Sequence, residues 1–207
     1  MTKPRLYLFF LFLFSALHGA EPASKTILFF GDSLTAGYGL DDPATQAFPG
    51  LIQQKITTGG LPYRVVNSGL SGETTAGGLR RIDWVLRSPV DILVLELGGN
   101  DGLRGLSPSF AAKNLQTLID KVRAKNPSVK LVLAGMTMPS SMGEAYAREF
   151  TAIFPALAQA NGATLIPFLL EGVGGVPELN LPDGFHPTAA GHHLIAETVW
   201  RWLRPLL

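Results

Sequence analysis

Cysteine is absent from all 207 residues of this chain. That excludes disulfide bridges, thiolate nucleophiles and Cys-ligated zinc. Charge is sparse and nearly balanced, with 17 basic against 16 acidic residues. A clustered basic face of the kind nucleic acid requires is therefore not indicated. Histidine is scarce as well: four in the chain, so imidazole chemistry has few candidates. No internal repeat or low-complexity linker divides the chain, and its length suits one domain able to bury its own core. The longest apolar run, Leu6 to Leu17, has 12 residues, short of the roughly 20 that span a bilayer.

That run has a specific context. Lys3 and Arg5 precede it, and the small residues Gly19 and Ala20 follow. A basic start, a short apolar stretch and small residues form the pattern of a secretory signal peptide. Residues 1–20 are thus expected to be a leader and 21–207 the working domain, exported to the periplasm or secreted. Without the leader, 15 basic residues face 16 acidic ones, a net charge near −1.

What is present is an alternation of apolar runs and helical patterns. Thr26–Phe30, Arg64–Val66, Asp91–Leu97, Lys130–Met136 and Ala163–Pro167 read as strands. Runs apolar on both faces suit parallel strands covered by helices on both sides. Between them lie helical patterns at Phe48–Thr57, Thr74–Leu86, Phe110–Val122, Tyr146–Ala160 and Thr188–Leu203. Pro155 is expected to kink or divide the fourth. The last is expected to bury Leu194, Ile195, Val199 and Trp202 and to end before Pro205. The alternation predicts an α/β, doubly wound domain with a five-stranded parallel sheet.

Ligands of such sheets bind beyond the carboxyl ends of the strands. Four segments with chemical content fall there: Gly31-Asp32-Ser33-Leu34, Asn67 to Thr74 around Gly72, Gly98-Gly99-Asn100-Asp101, and Asp183-Gly184-Phe185-His186-Pro187. Ser33 is the candidate nucleophile, which needs a base within hydrogen-bonding reach. His186, in an irregular loop, is the candidate base. Asp183 lies three residues earlier and can orient the imidazole. Gly72 and Asn100, with the amide of Ser33, are candidate oxyanion donors. Each has a bland alternative: Asp32-Ser33 as a helix cap, Asp183-Gly184 as a turn, Gly72 as a loop glycine, Asn100 as a local cap. Together and in this order they point to acyl transfer. Glu96, inside an apolar strand, is expected to be buried and paired, with an arginine as partner. Asp32 is expected to brace the serine loop, Asp101 and Arg104 to order their own loop, and Asp41-Asp42 to be solvated. His192 and His193 are expected to be surface or packing residues.

These motifs resemble those of the GDSL-type esterases of the SGNH hydrolase superfamily. Ser33, Gly72, Asn100 and His186 match the family's motif residues, with Asp183 at its acid position. The stretch Leu95 to Gly105 resembles the bacterial periplasmic branch known for thioesterase, lysophospholipase and arylesterase activity. The resemblance implies a flavodoxin-like three-layer α/β/α sandwich, no metal or other cofactor, and a serine acyl-enzyme. It implies small-molecule acyl esters or thioesters and lysophospholipids as substrates, and no obligate protein partner. A carbohydrate O-deacetylase would use the same residues, and a non-catalytic binding protein could keep the fold. Met136 to Gly143 and the loop from Glu171 to Pro182 are the segments expected to shape specificity, if they border the site.

Overall fold

The computed structural model describes residues 24–207, and the leader expected at residues 1–20 lies outside them. The first apolar run forms β1 (Lys25–Gly31), buried from Thr26 onward. β2 (Tyr63–Gly69), β3 (Ile92–Glu96), β4 (Lys130–Ala134) and β5 (Thr164–Ile166) complete one sheet. Its order is β2-β1-β3-β4-β5, with every pair parallel. β1 and β3 are central, and this explains their unbroken apolar character. β2 lies at an edge and is only partly buried. It also runs further than Arg64–Val66, because Asn67, Ser68 and Gly69 keep pairing with Phe29, Phe30 and Gly31. Polar and small residues are tolerated there because an edge strand has an open side.

The helices are α1 (Ser33–Ala36), α2 (Pro43–Gln46), α3 (Phe48–Thr58), α4 (Thr75–Val85), α5 (Gly99–Leu103), α6 (Pro108–Lys125), α7 (Glu144–Asn161) and α8 (Ala189–Leu203). α3 packs on α8, α4 on α6, and α6 on α7, so helices cover both faces of the sheet. Phe29 on β1 meets Phe48 on α3 edge to face, with ring centroids 5.5 Å apart. Removing either buried ring would cost about 3–5 kcal/mol.

Two helical expectations need correction. Pro155 does not divide α7, which runs unbroken through it. Pro155 faces solvent, while Phe150, Ile153, Phe154 and Leu157 bury on either side. Their packing outweighs the one backbone bond that proline removes. On α8 the buried stripe is Ile195, Ala196, Val199 and Leu203, and Leu194 is 43% exposed. A step of four keeps 195, 199 and 203 in register with the sheet and turns Leu194 away.

The strand order has a consequence for function. From β1 the chain crosses outward to β2, and from β3 it crosses the other way to β4. The two crossovers diverge and leave a crevice at the carboxyl ends of β1 and β3. Ser33 follows β1, and Asn100 follows β3.

Candidate active site

β1 leaves the sheet at Gly31, where a Cβ would lie 2.1 Å from Thr35 Oγ1 and 2.4 Å from Glu96 Oε2. No larger residue fits this exit. Asp32 then caps α1, its Oδ1 accepting from Leu34 N at 3.1 Å. Ser33 takes the first helical position and is 8% exposed. An amide at that position has no acceptor within its own helix.

His186 comes to Ser33 from 153 residues away, Nε2 lying 2.9 Å from Oγ. Asp183 Oδ2 lies 2.7 Å from His186 Nδ1. The other carboxylate oxygen, Oδ1, accepts from Phe185 N at 2.9 Å and His186 N at 3.0 Å. The backbone amides of His186 and Phe185, and then the imidazole, hold the Asp183 carboxyl down at about 2. An ionised carboxylate only accepts, so Nδ1 carries the imidazole proton and Nε2 accepts from the Ser33 hydroxyl. Leu181 N donates to His186 O at 2.7 Å, and Thr188 N to Leu179 O at 2.9 Å, so the two ends of the loop are pinned to each other. Tyr38 lies against the imidazole, with ring centroids 4.5 Å apart.

The loop after β2 lies beside Asn100 at the start of α5. Gly72 has φ +77°, a left-handed turn that disfavours a side chain. Among the described residues the N–H groups of Ser33 and Gly72 have no protein acceptor. Asn100 is more occupied than its expected role suggests. Its Nδ2 donates to Asp32 Oδ2 and to Glu73 O, each at 3.0 Å. Both amide hydrogens are thus engaged within the protein, and the second bond sets Asn100 beside the Glu73–Thr74 peptide.

Asp101 and Arg104 do more than order their own loop. Arg104 Nη2 donates to Gly72 O at 3.1 Å. Asp101 is fully buried and accepts from Thr75 N at 2.8 Å and Thr75 Oγ1 at 2.6 Å. Both tie the β3 loop to the β2 loop. Arg81 was not anticipated. Its Nε donates to Glu73 Oε1 and Oε2 at 2.8 and 2.7 Å, and its Nη2 to Ser68 O at 2.7 Å, with Phe30 4.0 Å beneath the guanidinium. This clamp fixes the residue after Gly72. In the sequence this was only an arginine eight residues beyond a glutamate, a spacing with no local signature.

Arg81 also answers the expectation for Glu96. The arginine pairs with Glu73, and Glu96 pairs with no arginine among the described residues. Instead Glu96 is 0% exposed and accepts from Asp32 N at 3.1 Å and Thr35 Oγ1 at 2.6 Å. Burial, and then the charge of Asp32, push its carboxyl well above the usual range. Burial also raises Asp32. The expectation for Asp32 as a brace holds, and Asp42 caps the short α2 from solvent. Of the remaining imidazoles, His193 is exposed and His192 is buried. His192 Nδ1 accepts from Phe48 N at 3.3 Å, capping α3 from across the fold.

Ser33, Asn100 and His186 open into a cleft of about 500 Å³. Leu103, Met136, Met138, Phe168, Leu170 and Phe185 make most of its wall apolar. The methionine segment therefore borders the site. So does the loop from Glu171 to Pro182, through Gly174, Gly175 and Asn180.

The model of the GDSL-like lipase/acylhydrolase family matches residues 29–194. Esterase TesA of Pseudomonas aeruginosa is 41% identical over 188 residues, which span 90% of this chain and 92% of that protein. The thioesterase 1/protease 1/lysophospholipase L1 of Escherichia coli is 37% identical over 205 residues, 98% of this chain and 94% of the relative. Among solved structures, the crystal structure of TesA superposes with a TM-score of 0.83 at 41% identity, covering 88% of this chain and all of that one.

Proposed function

This chain belongs to the GDSL-like lipase/acylhydrolase family, and on that footing we propose that it is an exported serine hydrolase of carboxylic esters and acyl thioesters. The observation that carries the mechanism is the continuous hydrogen-bonded line from Asp183 Oδ2 to His186 Nδ1 at 2.7 Å and from His186 Nε2 to Ser33 Oγ at 2.9 Å.

In the first half-reaction Ser33 Oγ bonds to the acyl carbon while His186 Nε2 takes its proton. Asp183, ionised, orients the ring and stabilises the imidazolium. The carbonyl oxygen becomes an oxyanion. The N–H groups of Ser33 and Gly72 have no other acceptor among the described residues and receive it. Asn100 contributes the third donor by releasing Glu73 O, to which it is bonded in the free enzyme. The C–O or C–S bond then breaks, and His186 protonates the leaving alcohol or thiol. In the second half-reaction His186 deprotonates the water that attacks the acyl carbon, the bond from that carbon to Ser33 Oγ breaks, and His186 returns the proton to Oγ.

The apolar wall supports acyl chains as the part of the substrate that fills the cleft. Lysophospholipids, with one acyl ester and a polar head, fit this class. The Lys3–Ala20 leader pattern supports export to the periplasm or beyond. Mass spectrometry of the mature amino terminus tests removal of the leader, which an intact Met1 would overturn in favour of a retained membrane anchor.

The reaction itself is tested with p-nitrophenyl esters of increasing chain length, wild type against Ser33→Ala. Turnover of medium chains that vanishes in the variant supports the reading. Activity confined to acetyl groups on sugars would transfer it to a carbohydrate O-deacetylase. Binding without turnover by folded wild type would mean a binding protein.

A further inference from the structure

Glu96 takes no part in the steps above, yet it is fully buried beside the turn that carries Ser33. It ends β3, opposite Gly31 in the β1–β3 register. Its Oε2 accepts from the amide of Asp32, just before Ser33, and from the hydroxyl of Thr35, two residues after it. The two contacts bracket the nucleophile. Space for the carboxyl exists because Gly31 lacks a Cβ, which would lie 2.4 Å from Oε2. Asp32, so held, directs Oδ1 to Leu34 N and Oδ2 to Asn100 Nδ2. One carboxyl on β3 thereby governs the exit of β1 and, through Asp32, a side chain of α5.

We propose that Glu96 is a positioning residue: its carboxyl fixes the turn that carries Ser33 and, through Asp32, the placement of Asn100. The proposal rests on the serine-hydrolase reading above.

Core packing does not require a carboxyl here. An apolar side chain would avoid its desolvation, but would leave Asp32 N–H and Thr35 Oγ1 without a buried acceptor. The two acids divide their labour by the company they keep. Asp32 receives one donor on each carboxylate oxygen, whereas both donors to Glu96 fall on Oε2. Glu96 Oε1 has no partner among the described residues. Burial disfavours the charged form of this carboxyl, and in the neutral form Oε2 remains a carbonyl-type acceptor. Glutamine therefore reproduces the group: its oxygen takes the two donors, and its amide occupies the place of Oε1–H.

The test compares Glu96→Gln, Glu96→Ala, Thr35→Val and Ser33→Ala on one ester. kcat and KM are measured at a temperature where circular dichroism finds each variant fully folded. Glu96→Ala is expected to lower kcat about 10²-fold, the scale of a misplacement near 1 Å, with KM within about threefold of wild type. Thr35→Val is expected to lower kcat about tenfold, since one of the two contacts remains. Glu96→Gln should retain most of the activity. A folded Glu96→Ala enzyme with wild-type kcat overturns the proposal. So does Glu96→Gln as slow as Glu96→Ala, because placement by a neutral acceptor would then not be the cause. Should Glu96→Ala fail to fold, Thr35→Val decides: an unchanged kcat overturns the proposal, and a reduced kcat at constant KM upholds it. Ser33→Ala separates the two levels, because activity surviving in that variant defeats the underlying mechanism whatever Glu96 does.

Discussion

Asp32 and Asp183 stand beside Ser33 and His186, the proposed nucleophile and base, and their surroundings push them in opposite directions. Each carboxylate accepts two or more hydrogen bonds. Asp32 is buried, and burial raises its pKa despite those donors. The Asp183 side chain is 40% exposed, and the amides of His186 and Phe185 lower it to about 2. Where water is excluded, desolvation dominates; where water remains, the donors decide. The nucleophile turn is thus built from inside, with buried acids whose placement costs stability. The base loop is built at the surface, from a turn whose backbone supplies its own donors.

The sharpest break in this comparison is Ser33→Ala, expected to lower kcat by about 10⁴-fold or more on any ester. Asn100→Ala is expected next, at about 10²–10³-fold in kcat. It also removes the donor to Asp32, so it should cost stability as well, which a thermal melt would detect. Asp183→Ala probes the exposed side. Water reaches this carboxylate, so the loss should be smaller than at a buried triad acid, about 10²-fold in kcat, with the fold intact. A loss equal to that of Ser33→Ala would mean the loop is as closed as the nucleophile turn and would erase the contrast.

Stability rather than rate is the readout for His192 in the first turn of α8, whose Nδ1 accepts from Phe48 N. Burial lowers its pKa from 6.5 to about 4. The unfolded chain then binds the proton more readily than the folded one. The associated stability is fully present above pH 6.5 and is lost as pH falls toward 4. A shift of this size corresponds to roughly 3 kcal/mol. His192→Asn keeps an acceptor for Phe48 N and removes the titration. Urea unfolding between pH 7 and 4 should show wild type losing stability faster than this variant. Parallel slopes would refute the assignment. Asp183 follows the ordinary acid pattern: its favourable term holds above 3.8 and fades as pH falls toward about 2, below the window where His192 acts.

The five strands were legible because apolar runs need no distant information. So were the loops that carry Ser33, Gly72, Asn100, Asp183 and His186, since turn residues at strand ends are local signals. Misreadings arose where burial depends on a partner. Pro155 survives within α7 because its neighbours bury in the core. Leu194 is exposed because α8 is rotated by its contacts with α3 and the sheet. Arg81 chose Glu73 over Glu96, a choice made by the path of the turn after β2.

By itself the sequence determined the α/β alternation, the absence of thiol chemistry, and which residue types wait at the carboxyl edge of the sheet. These follow from composition and from periods of 2 and 3.6 residues, which any short window contains. The tertiary structure alone decided which of those residues meet. It joined His186 to Ser33 across 153 positions and set Glu96 against Asp32 across 64. It also committed both Asn100 amide hydrogens and brought Met136 and Met138 to the cleft. Such contacts arise from strand order and crossover direction, and a carboxyl takes its charge from what surrounds it, so neither is written in the residues on either side.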